Sequence, residues 1–589
     1  MDRREDIRLR FPVEIDIYGR SEIGLFEGFK TTLINIGHEG VSFELPISLD
    51  KKKRYNADIE LRPGAKFQAH LNILWVKQLP SKKFLHGAEL SYFSEEQMNE
   101  LALFFENAAH KPEARIEERR ASNRRDLKAA DADNKEQRIS DRRLLQRYLS
   151  ESAKISLTSK KPRILELKRV VITGIGVVAP NAIGKKEFLA AIKSSKSGIR
   201  AITHFDAKDL PSRYAGEVSD ELAWNFLEEL LKDDPDTDFS SMKTKFLKRT
   251  DRPVQFGLIA AMEALHDSGL NIQKMNRKHI GISTGTSMAG LAFAFKEHDK
   301  YFSKGMHKMN PYTIAAASAN PSSGELSAEL KLRGPAATFS QGCTSGTSAI
   351  SFAYQQIQQG KALAMLAGGT DSPLYESTFA AFCRSGMLAP SMNGTPTLPR
   401  PMDKNRTGIV LAEGAAILVL EELGHALARG AHIYGEILAA SNTCDGYDMV
   451  KWRWHGSEAA RAIRNALEEA EITIDDVSLI YAQATGSHEG DNMELRAIKK
   501  VFGAEAKKIP VTNVKGMIGY SQAACAAIET VAACLSLDTG IIPAIPSLTS
   551  PHESVNLSAK VRHHSVDKVL INCFGFGGKN QCLVLSKLT

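Results

Sequence analysis

The sequence predicts a multidomain protein in which a small β-barrel and a charged linker precede a layered α/β domain of two similar halves. Three observations carry this. Residues 1 to about 110 alternate apolar and polar side chains in short runs separated by turn residues, residues 111–168 hold few large apolar side chains, and from Arg169 onward buried strands alternate with helices at Gly-rich junctions. At 589 residues, with 43% hydrophobic residues, the chain is long enough for two or more cores.

In the first region the runs Val13–Ile17, Thr32–Ile36, Val41–Leu45, Ala57–Leu61 and Ala69–Leu74 read as strands, with Gly, Asp, Lys and Pro between them. Ser94, followed by Glu95, Glu96 and Gln97, is an N-cap that opens a helix carrying Leu101, Leu103, Phe104 and Phe105. The segment from Lys111 to Lys168 has 17 Lys or Arg against 10 Asp or Glu, which accounts for the whole net charge of +7. It cannot bury enough surface to offset its chain entropy and reads as a solvated linker, in which Leu144, Leu145 and Tyr148 stripe at most a short helix. A membrane or RNA contact is the alternative for that segment. The basicity is confined there, so a nucleic-acid polymer is not the expected partner of the chain. All seven cysteines lie between Cys343 and Cys582 without zinc-ligand spacing, which favours a reducing compartment and no metal site. The charged start Met1–Asp6 has no apolar core behind it, and no run of about 18 apolar residues follows, so a cytoplasmic protein without a membrane span is expected.

From Arg169, Val170–Gly176, His279–Ser283 and Ala362–Gly369 read as strands and Phe256–His266 as a helix. The stretch SQGCTSGTSAI places Cys343 between Gly-rich backbone and a helix of small residues. A thiol at a helix N-terminus gains from the macrodipole, which favours thiolate, and small neighbours admit an acyl group. Alone this is weak, because a lone cysteine before a helix is more often a packing residue. The loop CFGFGGKN from Cys573 adds backbone that approaches a ligand closely, and two such N–H donors make an oxyanion hole. The charged turn PMDKNRTG from Pro401 leads through Ala412–Ala415 into a buried strand.

In order, the blocks ITGIGVVAP, GPAATFSQGCTSG, MLAGG, RPMDKNRTGIVLAEGAA, QATGSHEGDNME, NVKGMIGYSQAACAAIE and NCFGFGGKN make residues 169–589 resemble the β-ketoacyl-acyl-carrier-protein synthases of the thiolase-like fold, in the branch of elongating fatty-acid enzymes and polyketide ketosynthases. The resemblance implies halves at about 169–425 and 426–589, a nucleophile at Cys343, and oxyanion donors at the backbone N–H groups of Cys343 and Phe576. It puts the Phe576 ring at the gate to the acyl pocket and pairs Lys515 with Glu529 beneath the site, as a direct catalytic group or as an ion pair that only joins two elements. It further implies an acyl carrier protein as partner, a homodimer or a heterodimer with a histidine-containing synthase, and no required cofactor.

The family loop reads His-Gly-Thr-Gly-Thr, three residues, Asp, two residues, Glu. Thr485, Gly486, Asp491 and Glu494 fall in register, so Gln483 stands where the family has its first active-site histidine, and Tyr520, after Gly519, stands where it has the second. Those imidazoles donate to charge developing during decarboxylation. A Gln amide and a Tyr hydroxyl can donate, but neither is an effective base near neutrality. Acylation of Cys343 is expected to survive and decarboxylative condensation to suffer. His488, five residues past Gln483, reads as solvent-facing, and Cys383, Cys525 and Cys534 as packing.

At the N-terminus, Arg4 and Arg8 supply guanidinium planes suited to phosphates and bases, and Asn35, Gly37 and Gly40 form a turn with open backbone. With the barrel-then-helix order, residues 1–110 resemble the PilZ domain, which implies cyclic di-GMP as a regulatory ligand. Gly37 replaces the serine of that family's Asp/Asn-x-Ser-x-x-Gly pattern. The sequence therefore points to a synthase-like acyltransferase under nucleotide control, with a non-catalytic cyclic di-GMP effector or scaffold as the alternative.

Overall fold

The computed structural model describes the strands within residues 13–91, and residues 167–588 apart from 233–237, 319–320 and 392–396. The chain divides into two compact units, Met1–Lys161 and Pro162–Thr589.

In the first unit six strands, β1 (Val13–Tyr18), β2 (Phe29–Gly37), β3 (Gly40–Leu45), β4 (Arg54–Leu61), β5 (Ala65–Gln78) and β6 (Phe84–Ser91), pair in the order β1-β2-β3-β6-β5-β4. The antiparallel pairing of β4 with β1 closes the ring. The alternation in the sequence marks five of these strands; β6 lacks that signal, because Leu85, His86 and Gly87 interrupt the period. The helix expected from Ser94 and the linker through residue 166 lie outside the described residues.

The second unit repeats one topology twice. Its first half holds β7 (Val170–Ala179), β8 (Ile280–Gly285), β9 (Ala336–Phe339), β10 (Ala364–Asp371) and β11 (Gly414–Glu422). The second half holds β12 (Gly435–Cys444), β13 (Leu479–Tyr481), β14 (Val511–Thr512), β15 (Lys568–Gly575) and β16 (Lys579–Ser586). The sheet runs β9-β8-β10-β11-β7-β12-β16-β15-β13-β14, so each half, read from its outer edge, has its third strand, then its second, fourth, fifth and first. The second strand is parallel to the third and fourth in both halves, and the last two pairings are antiparallel. The two similar halves expected from the resemblance are visible in this repeat.

Hydrophobic cores lie between five layers. Helix α1 (Arg252–Ser268), capped by Asp251, packs Phe256 and Ile259 on Ile417 and Val419 of the first half-sheet. The other face of the same strand turns Leu418 and Leu420 toward a central core that also holds Ile571 and Leu583 of the second half-sheet. Between the half-sheets lie α2 (Ser345–Gln358) and α5 (Ala524–Thr539), and α3 (Ser457–Glu469) and α4 (His488–Phe502) cover the far side. Strands buried on both faces read as nearly continuous apolar runs, and α5 is apolar all round for the same reason.

Helices α2 and α5 meet where each begins. A Cβ on Gly346 would lie 2.4 Å from the Ala523 carbonyl oxygen, a backbone atom that cannot step aside. We expect Gly346→Ala to cost about 1–3 kcal/mol by overpacking, read as a lower urea midpoint. An unchanged midpoint would refute the close approach.

Candidate active site

Each half contributes a helix start to one point. At the end of β9 the chain turns through Gly342, whose φ of 73° suits glycine, and Ser345 closes the turn by donating from N and Oγ to the Gly342 carbonyl at 3.1 and 2.6 Å. Cys343 therefore sits just before α2, only 3% exposed. From β15, Cys573 donates through Sγ to the Cys343 carbonyl at 3.6 Å, so the Gly-rich loop that follows lies over the nucleophile.

The backbone N–H groups of Phe576 and Cys343, the two oxyanion donors the resemblance implies, both act on the Cys343 sulfur, as does the Tyr520 hydroxyl. The gain that a helix start offers a thiolate is opposed here. Burial pushes the thiol above its ordinary value, and the Asp371 carboxylate adds to this, outweighing the donors. Asp371 ties the strand end to its surroundings by accepting from the N–H groups of Ser287, Met288 and Ala523 at 3.0, 2.9 and 3.2 Å.

The loop after β13 is held by two buried carboxylates. Glu494 accepts from the Gln483 and Ala484 N–H groups at 2.9 and 2.8 Å, and Asp491 from Thr485 N–H at 2.9 Å and Met402 N–H at 2.8 Å. Burial pushes the Glu494 carboxyl up to about 7. Arg406, from the charged turn, lies 3.6 Å from Asp491 and donates to the Ser487 and His488 carbonyls, so that turn braces the loop. The frame that would carry an imidazole is intact, with Gln483 in its place.

Gln483 Nε2 donates to the Tyr520 hydroxyl at 3.4 Å, and that hydroxyl acts in turn on Cys343. The two replacements and the nucleophile thus form one polar chain. Tyr520 is fixed by its backbone, which donates to the Val410 carbonyl at 2.8 Å and accepts from Ala412 N–H at 2.9 Å. Its hydroxyl is pushed well above the ordinary value by burial and by the neighbouring thiols, so it serves as a donor. His488 is exposed at the first position of α4, away from this chain.

Lys515 and Glu529 pair at 2.6 Å, both side chains at most 1% exposed, and Lys515 Nζ also donates to the Ala482 carbonyl at 3.2 Å, directly before Gln483. Burial raises Glu529 to about 7 against the pull of Lys515; the ammonium is desolvated too, yet Glu529 holds it above its ordinary value. The pair lies beneath the loop, as the resemblance implies.

Besides Asp371, two neighbours escape the sequence reading. Trp452 packs its ring against Phe576, centroids 4.9 Å apart, and together with Gln483 and Tyr520 they line a narrow pocket. Gln522 accepts from Cys343 Sγ at 3.6 Å. Neither residue belongs to a recognisable spacing; only packing brings it to the site. In the first unit, Asn35 and Gly37 lie on β2 and Gly40 opens β3, with Gly37 paired to Gly40. Arg4 and Arg8 lie outside the described residues.

A cysteine at the head of a buried helix, under two backbone donors and between duplicated half-sheets, defines an enzyme of thiol-dependent acyl transfer. The family models for the β-ketoacyl synthase N-terminal and C-terminal domains match residues 167–426 and 434–549, and the chain belongs to the β-ketoacyl synthase family. It is 35% identical over 427 residues to 3-oxoacyl-[acyl-carrier-protein] synthase 2 of Coxiella burnetii, covering 72% of this chain and all of that one. It is 33% identical to the tetracenomycin polyketide synthase ketoacyl synthase alpha subunit of Streptomyces glaucescens, covering 71% of this chain and 97% of that one. Among solved structures, the ishigamide ketosynthase/chain length factor matches with a TM-score of 0.64 and 29% identity, over 72% of this chain and all of that one. A type II polyketide acyl-carrier protein in complex with its ketosynthase matches with a TM-score of 0.64 and 27% identity, over the same shares. Among the described residues no helix is long and apolar enough to cross a membrane.

Proposed function

We propose that this chain accepts acyl groups from an acyl carrier protein onto Cys343 and passes them on, and that it is a poor decarboxylative condensing enzyme. The observation that carries this reading is the chain from Gln483 through Tyr520 to Cys343: it supplies hydrogen-bond donors at both histidine positions and no base. In acylation the Cys343 sulfur bonds the thioester carbon, the carbon–sulfur bond to the carrier breaks, and the cysteine proton ends on the carrier thiol. Two N–H groups suffice to hold the developing oxyanion. Condensation also needs stabilisation of an enolate, where the absent imidazoles are missed.

Acyl carrier protein as donor and a dimer as the working form are supported by the two solved relatives, one a carrier complex and the other a ketosynthase with a chain length factor. Strand β9 ends the sheet with Ala336 exposed, and Phe302, Met306 and Ile314 are apolar and exposed, as an unpaired edge and its cover would be in a homodimer or a heterodimer with a histidine-containing synthase. The N-terminal unit is, in this reading, a PilZ-like receptor that binds cyclic di-GMP through Arg4, Arg8 and the Asn35–Gly40 turn and sets the acylation rate. Such coupling requires two states that bind the nucleotide differently. The near-complete burial of Cys343 beside the Phe576–Trp452 contact favours a second reading, a scaffold that pairs with an active synthase.

Intact-mass spectrometry with acyl- and malonyl-carrier proteins, with and without cyclic di-GMP, tests both. We expect an acyl adduct that Cys343→Ala removes, no elongated product, and a nucleotide effect that Arg4→Ala with Arg8→Ala abolishes. No adduct from any donor would transfer the case to the scaffold.

A further inference from the structure

We propose that Gln522 is a further catalytic residue, whose carboxamide holds the Cys343 thiol through Oε1 and, by a half-turn of its terminal bond, donates Nε2–H to the sulfur as the thiolate forms. This rests on Cys343 being the acyl acceptor. The side chain is 3% exposed and its Oε1 lies 3.6 Å from Cys343 Sγ. Its Nε2 is buried and has no hydrogen-bond partner among the described residues. Gln522 also holds a left-handed backbone, φ 51°, which a non-glycine residue seldom adopts.

An unpaired buried donor and a left-handed glutamine are both costly, and both fall on the residue that touches the nucleophile. The surroundings over-determine this geometry. On one side Tyr520 is bridged to Leu411, and on the other Ala523 N–H is bound to Asp371, so Ser521 and Gln522 between them are held, with the Gln522 amide at the sulfur. The amide can meet both forms of the sulfur, accepting from S–H and donating to S⁻. The N–H groups of Phe576 and Cys343 serve the thiolate alone, and the Tyr520 hydroxyl, which already accepts from Gln483, donates to it as well.

During transfer the Sγ–carbon bond forms, the donor's carbon–sulfur bond breaks, and the cysteine proton leaves with the departing thiol. Gln522 neither takes nor supplies that proton; it sets how readily the sulfur releases it. The titratable groups acting on the sulfur are Tyr520, Asp371 and Cys573, of which the Asp371 carboxylate opposes thiolate. A neutral amide that turns its donor inward relieves that opposition without adding a charge.

The test is the pH profile of Cys343 alkylation by iodoacetamide in the full chain, read by peptide mass. Gln522→Gly suits the left-handed backbone, and Gln522→Met keeps the length of the side chain without its donor, so the pair separates loss of donation from loss of fold. Both variants are expected to move the midpoint upward and to slow alkylation near neutral pH about tenfold, the scale of one hydrogen bond to a charged group. A midpoint that stays or falls in the variant that keeps the wild-type melting temperature would overturn the proposal, since an amide serving only as acceptor or filler gives that result. Alkylation needs neither carrier nor acyl donor. A shifted profile without any acyl adduct would sink the transferase reading and the catalytic role with it, leaving only the donation from Gln522 to the thiolate; an adduct with an unshifted profile would overturn the role of Gln522 and leave the transferase reading standing.

Discussion

Restoring both imidazoles, as Gln483→His with Tyr520→His, is expected to raise carbon dioxide release from malonyl-carrier protein on the order of a hundredfold, the effect typical of one well-placed donor at developing charge. The frame for them is present. Gln483 and Ala484 are bound by their N–H groups to Glu494, and Tyr520 by its backbone to Val410 and Ala412, so neither histidine has to rebuild its loop. An imidazole adds what the present pair lacks, a group that exchanges a proton near neutrality beside the sulfur. The single variants should recover less than the double, because the two side chains are in contact at 3.4 Å. Wild-type protein that already releases carbon dioxide as fast as the double variant would refute the impairment.

The second large effect is on stability. Lys515→Met is expected to cost about 3–5 kcal/mol, because it strips a buried carboxylate of its partner. The sign of its pH dependence follows from Glu529, whose carboxyl is raised on folding from 4.5 to about 7, chiefly by burial. A group raised in this way contributes stability that is fully present below its unfolded value and is lost as pH rises through the folded one. Without Lys515 only the hydrogen bond from the Val514 backbone opposes the burial, so the carboxyl rises further. The deficit should be greatest near about pH 8 and shrink near about pH 5.5, where Glu529 takes up its proton. Urea unfolding at the two values measures this, and an equal deficit at both would rule out an uncompensated carboxylate as the cause. Replacing both partners with methionine should return most of the stability. If that double variant acylates normally, the pair joins two elements and nothing more; if it folds and fails to acylate, the pair supports the chemistry through the Ala482 carbonyl and the Gln483 loop.

The legible parts of the site are those in which a backbone shape and its side chain lie within a few residues of one another. The turn at Gly342 and the helix behind it placed Cys343, and the spacing from Thr485 to Glu494 fixed Gln483 as the residue in the histidine position, because those glycines and carboxylates build one loop among themselves. Tyr520 was legible from Gly519 for the same reason. Arg406 was visible as part of a charged turn, but its work, bracing the loop around Asp491, was not, since the two meet only when separate segments pack.

Pattern and spacing along the chain establish the alternation of buried strands and helices, the place of the nucleophile and the absence of an imidazole at both positions that call for one. These are local properties of pattern and spacing. Packing of distant segments sets the protonation tendency of Cys343, because burial pushes the thiol above its ordinary value. It also decided the company of that thiol. Gln522 lies 179 residues from Cys343 and Trp452 well over a hundred from Phe576, and each pair is joined only where elements distant in the chain, α2 and α5 among them, are brought together by cores that no single segment contains.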